Sequence, residues 1–146
     1  MSVALSELPR YNEFVEALDI IDDEDMRFEY IIDMGKRRRD IGFPEEMKID
    51  ANQMHGCMSR VWIIDQPKDG LHYFVGDSDA IIVKGLVAMM TESFSGLTGQ
   101  QLQKLTIDQI SKLNLGALTT QRQVGMMAML QHMQKMGRAG QFAGSF

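Results

Sequence analysis

Cys57 is the only cysteine in 146 residues, and its thiol is the strongest nucleophile the chain can offer. Gly56 precedes it, Ser59 and Arg60 follow, and the stretch 51–57 has no clear helical or strand period. A glycine beside a reactive atom lets another backbone or ligand approach closely, and loops on rigid scaffolds commonly present reactive groups. A lone cysteine is also, in many proteins, just a small buried hydrophobe. On the residues alone, reactive thiol and buried filler stand level. His55 is the nearest candidate base for the thiol. Side chains at i and i+2 of an extended segment point to opposite faces, which disfavours direct pairing.

The other chemistry-bearing residues are more ambiguous. Asp77 and Asp79 form a carboxylate pair that could do acid–base work. An Asp-Ser-Asp run between a strand and a helix also suits the free N–H groups of a first helical turn, and capping is the stronger reading. Arg122 falls just inside the last predicted helix, where a cation opposes the dipole, so it reads as retained for an anion or a carboxylate. His72 and His132 show no ligand spacing with each other or with His55, so no metal site is expected. The 13 methionines fall mostly on helical core faces and read as packing.

The elements that must position these groups follow from periodicity. Tyr11, Phe14, Val15 and Leu18 share one helical face, with Pro9 at the helix start. A second helix carries Phe28, Ile31, Ile32 and Gly35 and ends at Gly35 and the basic run Lys36-Arg37-Arg38-Arg39. Val61–Asp65 and Leu71–Gly76 read as an antiparallel hairpin across the turn-forming Gln66-Pro67-Lys68-Asp69-Gly70, and Met47–Asp50 as a short third strand. Gly76-Asp77-Ser78-Asp79 ends the second strand and opens a helix burying Ile82, Gly85, Leu86 and Met89. Thr98 with Gln101 and Thr106 with Gln109 have capping-box spacing, predicting two short helices. A final helix starts near Thr119 or Thr120 and turns Met126, Met129, Leu130 and Met133 inward. The fold class predicted is a small α+β domain over residues 1–136, a hairpin backed by several helices. Residues 137–146 read as a mobile glycine-rich tail.

Composition removes whole classes of function. A chain of this length can bury a core large enough to need no disulfide or metal. A net charge of -5 and a pI near 5.1 argue against nucleic acid as partner. One cysteine excludes an internal disulfide, a four-cysteine zinc site and a cluster ligated by four cysteines of one chain, and fits a reducing compartment. No apolar run approaches a membrane span, and MSVALSELPRYNEF lacks the regions of a secretory signal. A cytoplasmic location is expected.

Several spaced motifs together resemble the SufE family. Asn52-Gln53-Met54-His55-Gly56-Cys57-Met58-Ser59-Arg60-Val61-Trp62 is similar to its active-loop signature, in which a glycine-cysteine pair precedes serine and then valine-tryptophan. Residues 76–85 are similar to the family's aspartate-bearing helix start, 118–125 to its arginine-bearing last helix, and Tyr30–Gly35 to its second helix. His55 and Met58 stand where glutamine is often found, and Gln121 where serine is usual. The resemblance implies a SufE/IscU-like fold and sulfur relay for iron–sulfur cluster assembly. The residue matching Cys57 would take the outer sulfur of a persulfide from a cysteine desulfurase of the SufS or CsdA type. It would stimulate that enzyme and pass the sulfur to a scaffold complex or another acceptor. Pyridoxal phosphate would belong to the desulfurase, and the chain would carry no cofactor, no metal and no independent turnover. Within this reading His55, Gly56 and Ser59 belong to the active loop, and Arg122, Asp79 and Asp77 steady its charge or position. The main alternative is an iron–sulfur scaffold or binding module, against which one cysteine and unspaced histidines count.

Overall fold

The computed structural model describes residues 7–37, 43–54, 59–114 and 119–144. Helix α1 (Pro9–Ile20) has proline in its opening positions and buries Tyr11, Phe14 and Leu18 on one face. Helix α2 (Glu24–Arg37) is capped by Asp23, whose Oδ1 accepts from the N–H of Asp25 (2.8 Å) and Met26 (3.2 Å). Acidic residues open α2 and Lys36 and Arg37 close it, matching the helix dipole at both ends.

Strands β1 (Val61–Asp65) and β2 (Phe74–Ser78) form an antiparallel pair in which Trp62 faces Asp77 and Val61 faces Ser78. Their connection turns at Asp69 and Gly70, both with positive φ, between Lys68 and Leu71, which exchange two backbone hydrogen bonds. Paired left-handed residues match the twist of a tight hairpin, which is why Asp-Gly suits the position. Helix α3 (Ile81–Phe94) then runs through the centre. Gly85, Leu86, Val87, Ala88, Met89, Met90, Thr91, Ser93 and Phe94 are all buried, as expected of a helix covered on every side. It packs against α1, α2, both strands and the last helix. Helices α4 (Gly99–Gln103) and α5 (Ile107–Asn114) follow, and α6 (Thr120–Gly144) closes the chain. Both threonine–glutamine capping pairs form: Thr98 Oγ1 accepts from the Gln101 N–H and Thr106 Oγ1 from the Gln109 N–H, and each glutamine side chain accepts the threonine's own N–H.

The backbone departs from the sequence expectations in four places. Met47–Asp50 is not a strand. Two 3-10 turns, Glu45–Met47 and Asp50–Asn52, occupy this stretch, and only Gln53 bridges to β1, at Trp62. Strand β2 lies further along the chain than Leu71–Gly76. His72 turns both backbone groups toward Gly96 and Leu97, and pairing with β1 carries the ladder on through Ser78. Gly35 does not end α2 but packs it: a Cβ there would lie 2.8 Å from the Gly85 nitrogen. Finally, the last helix continues to Gly144 where a tail is expected from residue 137. Gly137 is buried, with the space of a Cβ already filled by Leu102 at 2.8 Å, and Arg138 donates to Gln103 Oε1 at 2.8 Å.

The α2–α3 crossing sets the tightest constraint. A Cβ on Gly85 would sit 1.9 Å from the Ile31 carbonyl oxygen, a backbone atom that cannot move without separating the helices. Alanine normally favours a helix over glycine by about 1 kcal/mol. Gly85→Ala is nevertheless expected to destabilise the protein by roughly 3 kcal/mol through overpacking. A lowered denaturant midpoint checks this, and an unchanged or raised midpoint contradicts the crossing.

Candidate functional site

Cys57, His55 and Gly56 lie outside the described residues, as does Met58. The chain on either side of them is held by a set of short contacts. Upstream, the Met54 N–H donates to the Val61 carbonyl (2.9 Å), and Met54 itself is buried. Downstream, the Arg60 carbonyl accepts from Ser78 Oγ (2.7 Å) and from the Asp79 N–H (3.3 Å), while the Arg60 N–H donates to Asp79 Oδ1 (3.1 Å). The two stems are thus pinned against the start of β1 and the end of β2.

Asp77 and Asp79 do not cap α3. The residue before that helix is Ala80, and no side chain of that residue accepts from its first turn. The capping expectation fails because Asp77 is engaged in the strand ladder and Asp79 is turned back toward Arg60. Asp77 is buried and holds two lysines, Lys48 Nζ at 3.1 Å and Lys84 Nζ at 3.2 Å. Lys48 also meets Glu45 at 2.8 Å and lies 5.7 Å from the Trp62 ring centroid. Burial would raise the Asp77 pKa, but the Ser78 N–H and the two lysines outweigh it and hold the carboxyl below its ordinary 3.8. The hydrogen bond that Lys48 donates to Glu45, with Asp77 helping and burial opposing, holds its ammonium above the ordinary value. Sequence reasoning missed Lys48, because no local periodicity links it to a partner on a distant strand.

Beside this clamp lies a cavity of ≈ 410 Å³. Ser59 stands in its wall, Ala80, Ile81, Ile82 and Val83 line it from the start of α3, and Thr119, Gln121 and Arg122 line it from the start of α6. Two helix N-termini, each the positive end of a helix dipole, therefore face one space. The second is capped by Thr119, whose Oγ1 accepts from the Arg122 N–H at 3.3 Å. The Arg122 guanidinium is half-buried and has no ion-pair or hydrogen-bond partner among the described residues. No carboxylate lines the cavity among those residues. Such a space is positive and largely apolar, and it suits a small or polarisable anion. The structure thus brings Ser59 and Arg122 to one cavity and sets Asp77 and Asp79 at the base of the neighbouring loop.

His72 and His132 lie on separate elements, the stretch before β2 and helix α6. His72 is buried and its Nδ1 lies 2.6 Å from Asp65 Oδ2, a hairpin contact. Among the described residues no group of three His, Cys, Asp or Glu side chains is arranged to hold a metal ion. No helix among them is long and apolar enough to cross a membrane.

A small α+β protein whose chain is pinned at Met54 and at Arg60, beside a cavity that bears Arg122, is the class that fold and site define. Comparison with known proteins gives the family. The family model described as SufE, an Fe-S metabolism associated domain, matches residues 12–137. An uncharacterized SufE-like protein of Synechocystis sp. is 35% identical over 139 residues, covering 94% of this chain and 86% of its own. An uncharacterized SufE-like protein of Rhizobium etli is 31% identical over 130 residues, covering 85% and 86%. The solution structure of a hypothetical protein from Thermus thermophilus matches with a TM-score of 0.72 over 90% of this chain and 96% of its own. At 15% identity that likeness is one of fold. The chain belongs to the SufE family, whose domain is associated with iron–sulfur metabolism.

The Asp77 clamp has a pH signature. Because its folded pKa is lowered, its contribution is complete above the ordinary value of 3.8 and is lost as pH falls through the lower folded value. The stability gap between wild type and Asp77→Asn is expected to be constant above about pH 5 and to close on further acidification. Denaturant titrations of both proteins at a series of pH values check this, and a gap that persists unchanged to the acid limit contradicts it.

Proposed function

We propose that this protein is a cytoplasmic sulfur carrier in which Cys57 accepts a sulfur atom from a cysteine desulfurase and delivers it for iron–sulfur cluster assembly. The observation that carries the reading is the cavity where two helix N-termini and the Arg122 guanidinium converge, with no carboxylate among the described residues of its wall. Ser59 stands in that wall, and along the chain only Met58 separates it from Cys57.

The chemistry explains why such a cavity is useful. A free cysteine with pKa near 8.5 is only a few per cent thiolate at neutral pH, and the thiolate is the attacking form. Positive helix ends and a guanidinium favour the ionised sulfur. In the transfer step the Cys57 thiolate attacks the outer sulfur of the donor's persulfide. A new S–S bond forms, the donor's S–S bond breaks, and the donor cysteine leaves as a thiolate. The product on Cys57 carries its negative charge on the terminal sulfur, which the same cavity can hold and shield. With no second cysteine in the chain, the persulfide cannot collapse to an internal disulfide, so release requires an external thiol. The pyridoxal phosphate that generates the first persulfide belongs to the desulfurase, which this protein also stimulates. The downstream partner is a cluster scaffold complex or another sulfur acceptor.

Intact-protein mass spectrometry after incubation with a cysteine desulfurase and cysteine tests the reading. Wild type is expected to gain the mass of one or more sulfur atoms on Cys57, reversed by reductant, and Cys57→Ser to gain none. Arg122→Ala is expected to slow the gain roughly threefold to tenfold, the scale of one partly exposed charge near a helix end. A wild type that stays unmodified beside an active, compatible donor, or a serine variant that relays sulfur equally well, overturns the proposal.

A further inference from the structure

Helices α2, α4 and α5 open on capped turns that are not finished alike. In α4 and α5 the threonine cap is answered at the third helical position by Gln101 and Gln109, whose Oε1 accepts the cap residue's own N–H at 2.8 and 3.0 Å. In α2 the cap is Asp23 and the third position is Met26, whose N–H donates to Asp23 Oδ1 at 3.2 Å. A thioether sulfur is only a weak acceptor. The Asp23 N–H has no hydrogen-bond partner among the described residues.

Met26 is also the methionine that faces water. It is 57% exposed, and every other described methionine is buried or half-buried, with Met89, Met90, Met126 and Met133 fully enclosed. An exposed thioether reacts with a hydroperoxide. The sulfur lone pair attacks one peroxide oxygen, an S–O bond forms, and the O–O bond breaks. The proton of the attacked oxygen passes to the other, which leaves as water or an alcohol. Sulfur gives up two electrons to the peroxide, and the product is a sulfoxide.

We propose that Met26 is an oxidation site whose sulfoxide completes the cap of α2. The sulfoxide oxygen hangs from the third side-chain atom, as Oε1 does in glutamine, and the methyl takes the place of Nε2. Oxidised Met26 thus offers, at the third position of α2, the acceptor that Gln101 and Gln109 offer in their helices, and the unbonded Asp23 N–H is its donor. A sulfoxide formed in a core disrupts packing, because a polar group enters an apolar site. At Met26 the new oxygen stays in water and gains a donor, so the oxidised chain keeps its fold. A methionine sulfoxide reductase returns the thioether. The site is independent of Cys57 and of sulfur transfer.

The experiment uses the full chain with Cys57→Ser, so that hydrogen peroxide meets thioethers alone, and follows oxygen gain at each methionine by peptide mass spectrometry. Met26 is expected to oxidise at least roughly fivefold faster than Met89, Met126 and Met133 under native conditions. Amide exchange at Asp23 is expected to slow roughly threefold, the scale of one neutral hydrogen bond, in the Met26-oxidised chain and in Met26→Gln but not in Met26→Leu. The denaturant midpoint of the Met26-oxidised chain is expected at or above that of the unoxidised chain. Reductase treatment is expected to restore both the mass and the exchange rate. Met26 oxidising no faster than the enclosed methionines, Asp23 exchange unmoved by oxidation or slowed as much by Met26→Leu, a lowered midpoint, or a sulfoxide that the reductase leaves in place overturns the proposal.

Discussion

The approach of α2 to α3 is so close that the Ile31 carbonyl occupies the place a Gly85 side chain would need. Two helices meeting backbone to backbone cannot slide past each other without losing dense packing. This fixes α3, and with it the position of every element that α3 touches. Gly76 extends the constraint to the sheet, since a Cβ there would lie 2.7 Å from both Val87 Cγ1 and the Trp62 carbonyl oxygen. The strand leading into α3 is therefore held at its middle, Asp77 and Ser78 form its last paired residues, and Asp79 and Ala80 are the short link to α3. The chain that follows residues 55–58 is thereby tied, through Arg60, to Ser78 and Asp79 at this closely packed junction.

Charge is distributed around the site in a consistent way. The carboxylates near the loop are each committed elsewhere: Asp77 to Lys48 and Lys84, Asp79 to the Arg60 N–H. Committed carboxylates do not repel an incoming anion as free ones would. The uncommitted charge among the described residues of the cavity wall is the Arg122 guanidinium, added to two positive helix ends. A cation in the first turn of α6 costs that helix a few tenths of a kcal/mol. Lining a shared cavity gives the residue a reason to be there that helix stability alone does not.

Much of this arrangement was legible in the amino-acid sequence, for physical reasons that vary by element. Tyr11, Phe14 and Leu18, and later Met126, Met129, Leu130 and Met133, repeat at helical spacing because one face of each helix is buried. Thr98–Gln101 and Thr106–Gln109 were legible because a capping box is a local, reciprocal contact. Residues 43–54 were not, because no periodic pattern announces a pair of 3-10 turns and their anchor is a lysine bound to a distant aspartate. Asp77 and Asp79 misled for a related reason: their types fit a helix cap, but tertiary partners prevailed over the local option. Of the site, the family motifs pointed to Ser59 and Arg122, whereas their meeting in one cavity depends on how α3 and α6 cross.

Helix α6 has a geometric property of its own. It is held at its start by Thr119 and, sixteen positions beyond Arg122, by Arg138 on Gln103, with Gly137 seated against Leu102. At 1.5 Å per residue those two regions are about 24 Å apart along a stiff rod. Where the rod's far end rests therefore sets where its guanidinium-bearing end points. Residues of α4 with no chemistry of their own become, by leverage, part of what aims a charge on the opposite side of the molecule.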